Sequence, residues 1–199
     1  MRSPAALVLA AALAATGPAV AQAGPQPAAR PLTRQDVAAL VKQDASWCGG
    51  WRKSDDSCEE LVFLATDKDG VLQTRRYLLA DEGVVELVVR QRVTLDNDGL
   101  CWTYRFVDLD IAVLNEGQRA SAEQSAAMVL LMRERMADLE GKRSCERFAR
   151  DAATGDILST TTLDGAPAPE LDTRFRLLPQ DARIKLRGLI DFSNEPTNT

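Results

Sequence analysis

The stretch LVFLATDKDGVLQTRRYLLADEGVVELVVRQRVTLDNDGLCWTYRFV, residues 61–107, decides the fold that the sequence predicts. It contains four apolar runs, 61–66, 71–79, 84–94 and 100–107, which are separated by DKDG, ADEG and LDNDG. Asp-Gly between two apolar runs is a strong hairpin signal. The stretch therefore predicts four antiparallel strands joined by tight turns.

The third run alternates between an apolar face and a charged face, as expected for a half-buried strand. Its apolar positions are Val85, Leu87, Val89 and Val93, and its charged positions are Glu86, Arg90 and Arg92. The fourth run has the same period of two, with Leu100, Trp102, Tyr104 and Phe106 on one face. We therefore expect an antiparallel meander with one buried face, and we assign the aromatic stripe to the core.

Two helices are expected outside the meander. Thr33 followed by Asp36 is typical of a helix N-cap, and it predicts a short amphipathic helix over residues 34–44. Ser121 with Gln124 predicts the start of a long helix, and Gly141 lies just past its end. Both helices are expected to pack on one face of the sheet.

Further strands are predicted at 147–152, 156–163 and 174–178, while 183–192 fits either a strand or a helix. The predicted fold class is α+β, a disulfide-bonded antiparallel meander with one short and one long helix. The order of elements fits either one continuous sheet or two packed halves, each a helix followed by a meander.

The first residues have the features of a cleaved signal peptide, predicted over 1–23. Arg2 precedes an apolar run from Ala5 to Ala15, and Ala21-Gln-Ala23 fits a signal-peptidase site. The apolar run is shorter than the roughly 20 residues that span a bilayer, so no transmembrane segment is expected. Residues 24–32 predict a proline-rich flexible tether, 33–192 a single domain and 193–199 a disordered tail.

The composition limits the chemistry that this chain can perform. It contains no histidine, which excludes Ser-His-Asp and Cys-His catalysis and every zinc site that needs a histidine. Removal of residues 1–23 takes away one arginine and no acid, so the formal net charge changes from −5 to −6. We therefore expect no binding to nucleic acid.

Four cysteines in an exported chain predict two disulfides, although three pairings are possible. We expect Cys48 with Cys58, which closes the loop SWCGGWRKSDDSCEE at 46–60, and Cys101 with Cys145. A zinc site made of all four cysteines is disfavoured because the chain has no CxxC pair.

Two groups of side chains are candidate binding residues. Trp47 and Trp51 flank Cys48 and could form a stacking platform for a flat ligand, or they could shield the disulfide within the core. Arginines on adjacent strands could form an anion-binding surface or an ordinary solvated face. These arginines are Arg76, Arg90, Arg92 and Arg105.

The acidic turns do not predict a calcium site. When Gly70 or Gly99 is aligned with the invariant glycine of an EF-hand loop, the bidentate glutamate position holds Arg76 or Arg105. We therefore expect no metal and no cofactor. Carboxylate catalysis stays open through Asp55-Asp56, Glu59-Glu60 and the pair Asp108 and Asp110.

The functional hypothesis is a non-enzymatic binding protein of the bacterial periplasm that acts through contacts with an envelope protein. The first alternative is a carrier that holds a small apolar ligand between the helix and the sheet. The second alternative is a carboxylate-dependent glycan hydrolase.

Overall fold

A computed structural model of the chain describes residues 29–80, 85–97 and 99–190. The predicted signal peptide at 1–23, residues 24–28 of the predicted tether and the predicted tail at 193–199 lie outside the described residues. Most of the ADEG turn also lies outside them. Arg30 and Pro31, which fall within the predicted tether, pair with Arg150 and Ala149.

The described residues form fifteen strands and two α-helices. The strands in the first half are β1 (Arg30–Pro31), β2 (Ser46–Gly49), β3 (Ser57–Cys58), β4 (Glu60–Asp67), β5 (Gly70–Ala80), β6 (Val85–Asp96), β7 (Gly99–Thr103), β8 (Asp110–Asn115) and β9 (Gln118–Arg119). The later strands are β10 (Arg143–Arg150), β11 (Ile157–Leu163), β12 (Ala166–Pro167), β13 (Thr173–Leu178), β14 (Lys185–Leu186) and β15 (Gly188–Ile190). The helices are α1 (Arg34–Val41) and α2 (Ala122–Arg135), and single 3-10 turns cover Phe106–Asp108, Ala137–Leu139 and Pro169–Leu171.

Eight of the strands form a closed antiparallel barrel. Around the barrel they run β2, β4, β5, β6, β7, β10, β11 and β13. Closure comes from β13, which pairs with β2 from Phe175 opposite Gly49 to Leu178 opposite Ser46. The predicted α+β fold class, a meander sheet with helices packed on one face, is therefore wrong. Hairpin signals are the same in an open meander and in a closed barrel, whose last strand pairs with its first. The sequence pattern therefore could not distinguish an open sheet from a barrel.

One end of the barrel is filled by apolar side chains and closed by α1. The helix begins at Thr33, whose side chain and that of Asp36 form the predicted capping box. Its buried residues Val37, Leu40 and Val41 belong to the same core as the inward side chains of the strands. Those side chains are Trp47, Val62, Leu64, Val71, Val93, Leu100, Trp102, Phe148, Ile157 and Phe175. α1 therefore inserts into the barrel and does not lie on a sheet face.

The second helix has a different environment from the first. α2 has the predicted capping box between Ser121 and Gln124, but none of its residues is buried. It contacts the outer strand β8, which pairs with β6 next to the barrel. Leu130 and Leu131 are 59% and 45% exposed. Neither helix of the described segments has the length and apolarity needed to cross a bilayer.

The end of the described chain covers the outside of the barrel. The segment that fitted either a strand or a helix forms β14 and β15, which pair in parallel with β3 and β5. Ile184 and Leu186 pack there on an outer cluster made by Cys48, Cys58 and Leu61. Residues 183–190 therefore belong to the folded barrel structure.

Two strand predictions need correction, and the glycine of one predicted turn has a clear structural role. The opening of the predicted cysteine loop, Ser46–Gly49, is a fully buried strand. β7 ends at Thr103, and Phe106 lies in a 3-10 turn instead of continuing the strand. Gly99 explains the tight turn before β7, because its φ is +108° and an added Cβ would lie 2.0 Å from the carbonyl oxygen of Glu146.

Candidate binding site

Both predicted disulfides are present, Cys48 with Cys58 and Cys101 with Cys145. Cys101 and Cys145 lie directly opposite each other on β7 and β10. Their chain neighbours Trp102 and Ser144 point into the barrel, so the alternation of a strand places this disulfide on the outward face of the barrel wall, where both cysteines are nevertheless buried. The disulfides leave no free cysteine among the described residues.

The two candidate tryptophans lie on opposite sides of the barrel wall. Trp47 is buried at the closed end, where its ring makes edge-to-face contacts with Phe148 and Phe175 at 5.5 and 5.8 Å. Trp51 lies outside, with the guanidinium of Arg176 5.4 Å from its ring centroid, beside an outer cleft of about 410 Å³. The structure therefore does not bring the two rings together as one platform.

The four candidate arginines are all engaged by acids. Arg76 binds Glu86, Arg90 binds Asp110 at 3.1 Å, and Arg92 binds Asp67 at 2.8 Å. Arg105 lies 3.5 Å from Asp108, three residues along its own chain. An anion-binding surface on these arginines stays a prediction, but each guanidinium already has a carboxylate neighbour.

Five of the six acids in the carboxylate pairs proposed from the sequence have an arginine neighbour, and catalysis through these pairs stays a prediction. Asp55 accepts hydrogen bonds from Arg52 and Ser57, which lower its pKa to about 2. Glu59 binds Arg187 at 2.5 Å, whereas its neighbour Glu60 points into the barrel. Asp108 lies 3.5 Å from Arg105, and Asp110 binds Arg90 at 3.1 Å.

The open half of the barrel holds a cavity of about 430 Å³. Its walls combine aromatic, apolar, polar and charged side chains from seven of the barrel strands. These include Glu60, Arg75, Tyr77, Leu87, Val89, Gln91, Trp102, Ser144, Glu146, Thr161 and Thr173. Around the mouth lie Tyr104, Leu109, Met132, Met136, Leu139, Glu170 and Leu171, so α2 and two of the 3-10 turns border the entrance.

A buried ion triad lies in the cavity wall. The guanidinium of Arg75 binds Glu60 at 3.1 Å and also binds Glu146. Burial disfavours the charged guanidinium, but Glu146, Tyr77 and Glu60 outweigh this effect and hold the pKa of Arg75 well above its usual value. Burial raises the pKa of the Glu146 carboxyl, and Arg75 opposes that rise. Gly49 leaves space for the triad, because an added Cβ there would lie 2.5 Å from Glu60 Cγ.

Two glutamines extend the polar wall beside the triad. Gln73 is almost fully buried, and its Oε1 accepts hydrogen bonds from Arg75 Nε at 3.2 Å and from Gln91 Nε2 at 2.7 Å. Burial also raises the pKa of Tyr77, so its phenol stays protonated at neutral pH. The wall is therefore a connected polar network on one side of an otherwise apolar cavity.

Two buried polar atoms of the cavity wall have no hydrogen-bond partner among the described residues. They are Trp102 Nε1 and Ser144 Oγ, on side chains that are 9% and 0% exposed. The hydroxyl of Tyr104 lies near both groups, and its pKa is raised by burial. Trp102 and Ser144 lower the pKa of the Tyr104 hydroxyl against the larger effect of burial, although neither contact has the geometry of a full hydrogen bond. Because buried polar atoms are usually paired, a molecule in the cavity could engage these two atoms together with the Tyr104 hydroxyl.

This site was not predicted from the sequence, because the inward face of the strands was assigned to an apolar core. Arg75 and Gln73 share the face of Val71 and Tyr77, which alternation alone shows. Glu146 likewise precedes Phe148 by two residues on β10. A charged residue in phase with a buried face is a signal that could have pointed to the cavity.

Within the described residues, no three acidic or cysteine side chains converge in a way that could hold a metal ion. No protein-family model matches the chain, and no curated protein and no solved structure matches it significantly.

Proposed function

We propose that this protein binds a small organic molecule inside its barrel. The observation that carries the proposal is the cavity of about 430 Å³ with two unpaired polar atoms in its wall. Eight-stranded barrels are just wide enough to be filled by side chains or to hold one small ligand. Small-molecule sites usually have volumes of roughly 300–1,000 Å³ and mostly apolar walls with a few convergent polar groups.

The distribution of apolar and charged side chains inside the barrel supports the proposal that the cavity binds a ligand. The half next to α1 is filled with apolar side chains, while the other half carries an ion triad. A buried ion triad is rarely the most stable way to fill a core, because removing three charges from water costs several kcal/mol per ion. A polar cluster retained beside a cavity is typical of a functional site.

The contacts of the triad favour binding over catalysis. Carboxylate hydrolysis of a glycan needs an acid and a base that both reach the substrate. Glu60 and Glu146 share a cavity, but both are bound to the same guanidinium. We therefore propose a binding protein and not a hydrolase. A ligand inside the barrel also replaces the earlier hypothesis of a ligand between helix and sheet.

The compartment forms part of the proposal. Two disulfides are compatible with an oxidising, extracytoplasmic environment. Together with the signal peptide predicted over residues 1–23, they support a location in a bacterial periplasm. Binding to an envelope protein stays a prediction. Neither the cavity nor the four candidate arginines, which are paired with acids, support it.

The proposal can be tested by calorimetric titration with 6-methoxy-2-naphthalenemethanol. This neutral probe has a flat apolar body and an oxygen that can accept a hydrogen bond from Trp102 Nε1. Trp102→Phe keeps a ring and removes the donor, so we expect binding about threefold to tenfold weaker, as for one lost hydrogen bond. Trp51→Phe is the matched control outside the barrel, and it should leave the affinity unchanged. Binding that depends on Trp51 and not on Trp102 would overturn the proposal.

A further inference from the structure

Negatively charged side chains outnumber positively charged ones around the cavity. Four carboxylates line it, those of Glu59, Glu60, Glu146 and Glu170, against one guanidinium, that of Arg75. Arg187 lies behind the rim and binds Glu59 at 2.5 Å. Acids therefore outnumber cations even when Arg187 is included. Field lines concentrate in a cleft that is lined by one sign of charge and has walls of low dielectric constant.

Among the described residues that line the cavity, Arg75 is the only cation, and it is already engaged by the wall itself. Arg75 is bound to Glu60, Glu146 and the side-chain oxygen of Gln73. A ligand carboxylate that reached the remaining N–H donors of Arg75 would lie beside the buried carboxylates of Glu60 and Glu146, and this like-charge contact is unfavourable. The cavity therefore disfavours fatty acids and other organic anions.

The same walls suit a positive charge. Carboxylate oxygens of Glu146 and Glu60 can accept hydrogen bonds from an ammonium group, and so can Ser144 Oγ, which lies close to the Tyr104 hydroxyl without a well-aligned hydrogen bond. The rings of Trp102 and Tyr104 stand edge to face at a centroid distance of 5.7 Å. Electron-rich aromatic faces attract cations, and Arg75 already lies 5.9 Å from the Trp102 ring centroid.

We propose that the cavity selects an organic cation, an amine carried on an apolar ring-containing body, over neutral and anionic molecules of the same shape. This inference rests on the proposed function, because it names the class of ligand that the barrel holds. The apolar body lies against Leu87 and Val89, and the amine faces Glu146.

Three probes of nearly equal shape test the charge preference by calorimetric titration. They are 6-methoxy-2-naphthylmethylamine, 6-methoxy-2-naphthalenemethanol and 6-methoxy-2-naphthoate. We expect the amine to bind about tenfold or more tightly than the alcohol, and the naphthoate to bind most weakly, since about 1.4 kcal/mol corresponds to tenfold. Equal affinities, or tightest binding of the naphthoate, would overturn the charge inference and leave the proposed function standing. No binding of any probe would overturn both.

Two variants locate the preference in the cavity. Glu146→Gln should bring the affinity for the amine close to the affinity for the alcohol. Gln91→Lys leaves all three charges of the triad in place, and it should make the naphthoate bind more tightly than the amine. Glu134→Gln removes one charge from α2 outside the cavity lining, so it is the matched control and should change neither ratio. Unchanged ratios in both cavity variants, each shown to be folded by near-ultraviolet circular dichroism, would contradict the proposed contact.

Discussion

Arg75 and Arg76 are neighbours in β5 with opposite environments. Arg75 points into the barrel and is 15% exposed, whereas Arg76 points outward and is 39% exposed. Both arginines form ion pairs with glutamates, but the ion pairs of Arg75 are buried and that of Arg76 is partly exposed. A salt bridge at the surface contributes little to stability, while breaking a buried one leaves an uncompensated charge. The same residue type should therefore have very different effects at these two positions.

Arg75→Met should destabilise the protein by about 3–5 kcal/mol, because Glu60 and Glu146 would remain buried without a cation. Arg76→Met should cost at most about 1 kcal/mol, since its pair with Glu86 is partly exposed. Urea denaturation of the two variants measures both free energies of unfolding. Equal losses would show that Arg75 is not part of a buried ion triad.

Glu146 should make the stability of the protein depend on pH. Its folded pKa is raised by burial, so its contribution to the free energy of unfolding is fully present below the unfolded pKa. That contribution is lost as the pH rises through the folded pKa. We expect the difference in stability between the native protein and Glu146→Gln to fall from about pH 4 upward, and then to level off. A difference that grows with pH would mean that Arg75 lowers the pKa of Glu146.

At the scale of elements, the two helices have different roles. α1 places Val37, Leu40 and Val41 in the core, while α2 has no buried residue and borders the cavity through Met132, with Met136 just past its end. An element with few buried apolar contacts opens at low free energy. α2 therefore has fewer core contacts to lose than α1 in a movement relative to the barrel.

The same substitution in each helix tests this difference. Leu40→Ala should cost about 2–5 kcal/mol, because it leaves a space in the core where α1 closes the barrel. Leu130→Ala, at a position 59% exposed, should change stability by at most about 0.5 kcal/mol. Thermal and urea denaturation of both variants measure the contrast. A loss above 2 kcal/mol in Leu130→Ala would show that α2 packs more tightly than described.

Sequence pattern predicted several elements well and failed at others for physical reasons. The capping boxes at Thr33 and Ser121 are local hydrogen-bond patterns, so they were visible in the sequence and are confirmed. The segment Ser46–Gly49 was treated as a loop because its glycines and cysteine resemble turn residues. It is a strand because both edges are paired, with β4 and with β13. Those partners are distant in the chain and leave no local signal.

In the whole molecule, closure of the barrel turns the buried face of the predicted strands into an enclosed interior. Alternation in β6 placed Leu87 and Val93 on the buried face, and this assignment agrees with the structure. It could not show that the buried face curves around an interior with two different halves. Arg75, Glu146 and Trp102 lie on three different strands, and closure of the barrel brings them together in one cavity wall. The site therefore depends on the strand topology and not on a local sequence motif.

The central claim is that a small molecule binds within the open half of the barrel, and the indole N–H signals of the tryptophans test it directly. Trp102 lines the cavity, Trp47 is packed at the closed end, and Trp51 lies outside the barrel. Nuclear magnetic resonance titration with 6-methoxy-2-naphthalenemethanol should shift the Trp102 signal to saturation and leave the Trp51 signal in place. A saturable shift of Trp51 alone, or no saturable shift of any indole signal, would contradict binding inside the barrel.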